Sequence, residues 1–129
     1  MPAEIPSTDA PSPFDRKAFD NLVLEIGKET ALETLSLFVQ ETEDRLKLLR
    51  KLSGDADRSK IEREAHSLKS AAGTFGLRAV AQLARALERD AAHITASDYL
   101  ALLDRIEAAF SAARMQYLAP VCTENQIRR

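Results

Sequence analysis

Two side chains in the middle of the sequence, His66 and Lys69, have the types and the spacing to handle a phosphoryl group. A neutral imidazole, whose ordinary pKa is about 6.5, is a good nucleophile for phosphorus near neutral pH. Residues three positions apart in a helix lie one turn apart on the same face, so Lys69 would offer a positive charge to a phosphorylated His66. We therefore interpret this pair as a candidate phosphoacceptor site.

The helix that carries His66 is predicted to present it to solvent. At about 100° per residue, the apolar side of this helix contains Ile61, Ala65, Leu68, Ala72 and Phe75. His66 falls roughly 140° from Ile61 on the same helical wheel. Three further residues lie at similar angles: Glu62, Lys69 and Gly73. Because Ser70 and Gly73 are small, the surface around the ring should be low enough for another protein to approach.

The sequence lacks the parts of a self-sufficient phosphotransfer enzyme. It contains only four glycines, and we find no Walker-type loop, no plausible nucleotide lobe and no obvious magnesium cage. We therefore expect a phosphoryl carrier rather than an enzyme, with no ATP site, no cofactor and no bound metal. The donor of the phosphoryl group would have to supply the catalytic parts.

Prolines and glycines divide the chain into a helical body between two tails. The prolines lie within residues 1–13 or at Pro120, which predicts a disordered N-terminal tail over 1–13, a body over 14–119 and a C-terminal tail over 120–129. Gly27 and Gly54 stand where helices should end. Asp55 or Asp57 can begin one helix, and Thr95 with Asp98 resembles a capping box. The predicted helices cover about 15–26, 28–52, 58–73, 77–92 and 95–117.

This pattern predicts an all-α fold, an antiparallel four-helix bundle with a short additional N-terminal helix. A coiled-coil dimer is the weaker alternative, because the apolar stripes are too wide and the connectors too frequent. The net charge of −2 argues against nucleic-acid or membrane-surface binding. With no signal segment, no apolar span and a single cysteine, Cys122, we expect a cytoplasmic protein with an inert thiol. A bundle with one apolar face per helix is expected to be a monomer.

The string from Ala65 to Gly76, AHSLKSAAGTFG, resembles the signature of histidine-containing phosphotransfer (HPt) domains. That signature is His-x-Leu-Lys-Gly, then small residues, then a glycine ten positions after the histidine. Ser70 is the one departure, standing where glycine is usual, and it is still small enough to permit close docking. The resemblance extends over about 14–118. The matching positions of the motif are His66, Leu68, Lys69, Ala71, Ala72 and Gly76.

The resemblance implies a relay. Such domains accept a phosphoryl group from the aspartate of a receiver domain and pass it to another receiver domain in a multistep two-component pathway. His66 would carry the group on its outer ring nitrogen, Lys69 would stabilise it, and the receiver domain would bring a magnesium ion. Glu88 occupies a position where some members have glutamine, and its carboxylate could orient the ring by accepting the ring N–H.

A second predicted surface lies on the fourth helix, where Arg78, Gln82, Arg85 and Arg89 share one exposed face. If this face neighbours His66, it offers positive charge to the acidic rim of a receiver domain, whereas the alternative is an ordinary solvated face, especially for Arg89. The predicted partners are receiver domains of response regulators or of hybrid histidine kinases. The predicted partner-binding residues are Glu62, Ser70, Gly73, Arg78, Gln82 and Arg85.

Three other interpretations of the sequence compete with this one. A carboxylate-bridged metal bundle uses Glu-x-x-His on two helices, but Arg63 stands three positions before His66, and His93 suits a helix C-terminus instead. A helical adaptor that binds receiver or kinase domains without transfer would typically have lost His66 or Lys69. A phosphoacceptor module of a larger histidine kinase would be followed by a kinase catalytic segment. None follows in this sequence, so we expect a freestanding protein.

Overall fold

The computed structural model describes residues 12–53 and 55–120, and it is all-helical. Within these residues no strand is formed, and none of the helices is long and apolar enough to cross a membrane. The predictions made for residues 1–11, Gly54 and residues 121–129, including Cys122, lie outside the described part. The elements are α1 (Arg16–Ile26), α2 (Lys28–Lys51), α3 (Arg58–Thr74), α4 (Arg78–Asp90), α5 (Ala96–Ala113) and a π-helical turn (Arg114–Leu118).

The ends of the helices follow the predicted capping residues, with one difference. Gly27 ends α1 with a positive φ of 88°, and the Thr95 hydroxyl accepts a hydrogen bond from the amide of Asp98 at the start of α5. Asp57 is the N-cap of α3, but its side chain makes no capping bond into that helix. Its carboxylate instead accepts the amide hydrogen of Ser53, 2.8 Å away, so Asp57 fastens the loop that precedes α3.

The apolar stripes predicted from helical spacing form the core. On α3, Ala65 and Leu68 are fully buried, and Phe75 just beyond the helix packs on Phe38 of α2 with ring centroids 4.6 Å apart. One apolar side of α2 and one of α5 are buried as well. On α4, Val80, Ala84 and Leu87 are buried, but Leu83 is only partly buried against the core. The contacts between helices are α3 with α4, α4 with α5, α2 with α3 and α5, and α1 with α2 and α3.

The turn between α3 and α4 is fixed by Gly76. This residue adopts a positive φ of 78°, and its carbonyl oxygen accepts the amide hydrogen of Asp15 over 2.7 Å. A Cβ atom at Gly76 would lie 2.1 Å from the carbonyl oxygen of Asp15. Only glycine therefore allows the chain before α1 to run this close to the turn.

The π-helical turn at the end of α5 differs from the plain helix predicted there. It brings Tyr117 into stacking contact with Phe14, with ring centroids 5.2 Å apart, and its hydroxyl donates to the carbonyl oxygen of Asp15. Burial raises the pKa of Tyr117 to about 12, so its hydroxyl remains a donor at neutral pH. This contact and the one at Gly76 therefore both hold the backbone of Asp15 at the start of α1.

Candidate functional site

His66 lies on the exposed side of α3, as its helical position predicts. Its side chain is 59% exposed, while Ala65 and Leu68, its neighbours on the apolar side, are fully buried. The same geometry places Glu62 and Gly73 on the exposed surface of α3. The imidazole ring is thus held by a helix whose other side is fixed in the core, and its accessible edge faces solvent.

Glu88 of α4 joins His66 and Lys69 through its two carboxylate oxygens. Oε2 lies 2.8 Å from Nδ1 of His66, and Oε1 lies 2.7 Å from Nζ of Lys69. The ammonium group of Lys69 therefore contacts the carboxylate, whereas the sequence predicted only that it lies beside the ring. The Glu88 side chain is only 23% exposed, so it is less mobile than a carboxylate on an open surface.

This contact fixes which ring nitrogen is available for chemistry. The ammonium group of Lys69 and, after it, the hydrogen bond from His66 hold the pKa of Glu88 below its usual range, so the carboxylate is ionised at neutral pH. An ionised carboxylate only accepts hydrogen bonds, so Nδ1 must carry the proton. In the neutral ring the lone pair is then on Nε2, the nitrogen away from Glu88.

A depression between α3 and α4 lies beside Lys69 and Glu88, and His66 is not among the residues that line it. The guanidinium group of Arg85 makes no ion pair within residues 12–53 and 55–120, whereas that of Arg89 pairs with Asp90 at 3.0 Å. The depression thus offers one unpaired cation beside the Glu88–Lys69 pair. The residues that line it are Glu62, Lys69, Gln82, Arg85, Ala86, Glu88 and Arg89.

Most of the predicted site residues lie together, but Arg78 does not join them. Its guanidinium pairs with Asp15, 3.3 Å away, at the start of α1, and it does not line the depression. Ser70 and Gly73 are exposed on α3, and the space around Gly73 is open, since nothing lies within 4 Å of an added Cβ. The surface beside His66 on α3 is therefore low, as predicted.

The sequence predicted one of the two contacts of Glu88. Its hydrogen bond to the ring agrees with the expectation drawn from the resemblance, whereas its second bond, to Lys69, was missed. The available signal was the pairing of a carboxylate on α4 with a histidine and a lysine three residues apart on α3. To predict the contact from this signal, one must know how α3 and α4 are rotated relative to each other. Helical spacing within one segment does not give that rotation.

The carboxylate and histidine side chains of the described residues form no metal-binding cluster. In the described part of the chain, no group of three or more histidine, cysteine, aspartate or glutamate side chains converges on one point. His66 points to solvent, and Arg63, three positions before it, is hydrogen bonded to Ser59 on the helix surface. The carboxylate-bridged arrangement would need these two positions to face the core.

Comparison with known proteins identifies a family for this chain. The model of the Hpt domain family matches residues 33–117, a segment that contains His66, Lys69 and Glu88. Neither the curated proteins nor the solved structures gave a match. Hpt domains are phosphocarrier modules of two-component phosphorelays, and they interact with receiver domains of response regulators and kinases. Since the match covers more than half of the sequence, the chain belongs to the Hpt domain family.

Proposed function

We propose that His66 accepts a phosphoryl group from the aspartate of a receiver domain and that the protein passes it to the aspartate of another receiver domain. The observation that carries this proposal is the exposed ring whose Nδ1 is bound to Glu88 at 2.8 Å. That bond leaves the lone pair of Nε2 directed away from the helix, toward an approaching donor. A nucleophile held in one tautomer and one orientation needs little rearrangement to react.

The transfer step is a displacement at phosphorus. Nε2 of His66 attacks the phosphorus atom of the aspartyl phosphate, the N–P bond forms, and the P–O bond to the aspartate breaks. The aspartate leaves as a carboxylate with the electron pair of that bond. We expect the receiver domain to supply the magnesium ion that neutralises the phosphoryl oxygens, so this chain needs no cofactor and no ATP site of its own.

Lys69 is the residue we assign to the phosphoryl group. In the resting protein its ammonium group contacts Glu88, a single negative charge. A phosphoryl group on Nε2 would bring further negative charge and three acceptor oxygens within one helical turn of Lys69. The flexible side chain of Lys69 can then exchange one oxygen ligand for another without moving the helix.

The docking surface we propose combines the low part of α3 with the charged part of α4. Ser70 and Gly73 would let the receiver domain approach, and Gln82 and Arg85 would meet the acidic rim of its active site, with Glu62 at the border. The absence of an ion pair for Arg85 among the described residues supports this assignment. Arg78 remains a predicted contact, at the edge of the surface, because Asp15 already binds it.

We further infer that α2–α5 form an antiparallel four-helix bundle, with α1 covering one end. The contacts of α2 with α3, α3 with α4, α4 with α5, and α5 with α2 support a closed ring of four helices. The domain limits of 14–119, a monomeric state and a cytoplasmic location stay predictions from the sequence. So does the expectation that neither nucleic acid nor a membrane is a partner.

The alternative is an adaptor that binds receiver or kinase domains without transferring phosphate. Incubation with a phosphorylated receiver domain separates the two, because a transfer protein acquires acid-labile, base-stable label and an adaptor does not. We expect His66→Gln to abolish the label and His93→Gln, the matched control, to retain it. Binding of the receiver domain without any label on the wild-type chain would establish the adaptor.

A further inference from the structure

We propose that Glu88 keeps the Nδ1 proton on the ring of His66 after phosphorylation, so that the phosphohistidine forms and persists as a positively charged imidazolium. This inference rests on the proposed function, because it concerns the phosphorylated state of the same residue. It makes Glu88 a positioning residue, since its carboxylate contacts the ring at Nδ1, while the phosphoryl group is carried on Nε2.

The first step is geometric. Oε2 of Glu88 lies 2.8 Å from Nδ1, and the other carboxylate oxygen is bound to Lys69. The carboxylate is thus held at both oxygens, on a helix that packs against α3. Attack by Nε2 takes place at the opposite edge of the ring, so the hydrogen bond at Nδ1 need not break when the N–P bond forms.

The second step is chemical. A neutral ring attacks with the lone pair of Nε2, and the product carries the phosphoryl group on Nε2 and the original proton on Nδ1. Such a ring is cationic, and in water it loses the Nδ1 proton as the pH rises. Next to Glu88 that loss would leave a nitrogen lone pair facing an ionised carboxylate at hydrogen-bond distance, which is repulsive. Retention of the proton is therefore favoured.

The protonation state decides how readily the phosphoryl group leaves. When the N–P bond breaks in a protonated ring, the electron pair returns to Nε2 and neutral imidazole is released. A ring without the Nδ1 proton would have to leave as imidazolate, which is a far stronger base and a poorer leaving group. Glu88 would thus keep the group ready for transfer to the next aspartate.

The other charges near the ring do not cancel this effect. On α3, Glu62 lies one turn before His66 and Lys69 one turn after it, and on α4 Arg85 lies one turn before Glu88. Glu62 favours the cationic ring, while Lys69 and Arg85 oppose it. Within residues 12–53 and 55–120, no hydrogen bond or ion pair links His66 to α1, α2 or α5. Among the described residues, only Glu88 forms a hydrogen bond with the ring, and Coulomb interactions weaken with distance and solvent.

The test uses the full chain, with its histidines labelled with ¹⁵N and phosphorylated by phosphoramidate, a small-molecule donor that needs no receiver domain. The ¹⁵N shift of Nδ1 is followed against pH to find the midpoint at which the phosphorylated ring loses its proton. We expect Glu88→Gln to lower this midpoint by about one pH unit. At a pH above both midpoints, Glu88→Gln should release phosphate spontaneously about tenfold more slowly than the wild type. Glu62→Gln, which removes a nearby carboxylate that is not hydrogen bonded to the ring, should lower the midpoint by much less than Glu88→Gln does.

The outcomes separate the two proposals. An equal midpoint in the wild type and Glu88→Gln would overturn this inference and leave the relay untouched. A lowered midpoint in Glu88→Gln, together with no transfer from any phosphorylated receiver domain to the wild type, would support this inference and overturn the proposed relay function. Failure of phosphoramidate to label His66 at all would overturn both, because the ring would then not be an accessible nucleophile.

Discussion

The ammonium nitrogen of Lys69 lies 2.7 Å from Oε1 of Glu88, so in the resting protein Lys69 is a partner of the carboxylate. The ring of His66 binds the other oxygen of the same carboxylate. Lys69 and His66 are therefore coupled through Glu88, and a change in one of the three should be measurable at the other two.

The pKa of Glu88 should respond to the removal of Lys69. The hydrogen bond from Lys69 is the largest cause that lowers this pKa below the ordinary 4.5, so Lys69→Ala should raise it toward that value. Because the folded-state pKa is lowered, the ionised carboxylate stabilises the fold above the unfolded-state pKa, and this contribution disappears as the pH falls through the folded-state pKa. Carboxyl ¹³C shifts measured against pH test this, with Lys60→Ala as the control on the exposed side of α3. An unchanged Glu88 titration in Lys69→Ala would contradict the contact.

Lys69→Ala should also slow phosphotransfer more than it disturbs folding. Removing a donor that stabilises developing charge lowers rates by about tenfold or more, whereas a solvent-screened ion pair contributes little to the free energy of unfolding. Rapid-quench measurement of transfer from a phosphorylated receiver domain gives the rate, and urea unfolding gives the stability. Equal transfer rates in Lys69→Ala and the wild type would remove Lys69 from the mechanism.

Features that depend on one helix alone could be predicted from the sequence. The exposure of His66 and the burial of Leu68 both follow from angular position, because a helix packed by one apolar side must turn the other to solvent. The capping hydroxyl of Thr95 was predictable for the same reason, since its partner Asp98 lies within one turn.

Features that depend on two segments could not be predicted. Periodicity grouped Arg78 with Arg85, but seven residues of α-helix separate them by about 10 Å along the axis, which brings Arg78 to Asp15 instead of the depression. The bond between Lys69 and Glu88 depends in the same way on how α3 and α4 are rotated. The π-helical turn at Arg114–Leu118 leaves no mark on the hydrophobic period that was used to predict the end of α5.

Leu68→Ala should damage the fold. Leu68 is fully buried on α3 beneath the site, and truncating a buried leucine costs about 2–5 kcal/mol, because the transfer free energy is lost and a cavity remains. Ser67→Ala is the control, since this neighbour is exposed and its change should stay within about 0.5 kcal/mol. Urea unfolding followed by circular dichroism measures both variants. A change below about 1 kcal/mol for Leu68→Ala would mean that the core beneath the site is not packed as described.

Arg85→Glu should weaken the binding of a receiver domain. Arg85 lines the depression and has no ion-pair partner among the described residues, so its charge is available to an acidic partner. We expect about a three- to tenfold loss of affinity, mostly through slower association, which shrinks as salt is added. Arg105→Glu, an identical charge change on the exposed surface of α5, is the control for net charge. Surface plasmon resonance at two salt concentrations measures the effect, and equal losses in both variants would show that only net charge matters.

The two described glycines at the end of α3 should respond to alanine in opposite directions. At Gly76 the positive φ is unfavourable for alanine, and the new Cβ would meet the backbone of Asp15 at 2.1 Å, so the turn and the start of α1 must move apart. We expect Gly76→Ala to destabilise the fold by about 1–3 kcal/mol or more.

Gly73 instead has a helical backbone and open space around an added Cβ, so Gly73→Ala should stabilise the fold by about 0.5–1 kcal/mol. Urea unfolding of the two variants gives both values under the same conditions. Similar losses at both positions would mean that the region beside His66 is crowded, and would contradict the open surface that docking requires. A stable Gly73→Ala protein that still accepts the phosphoryl group would locate the need for glycine in the turn at Gly76, where the chain before α1 approaches.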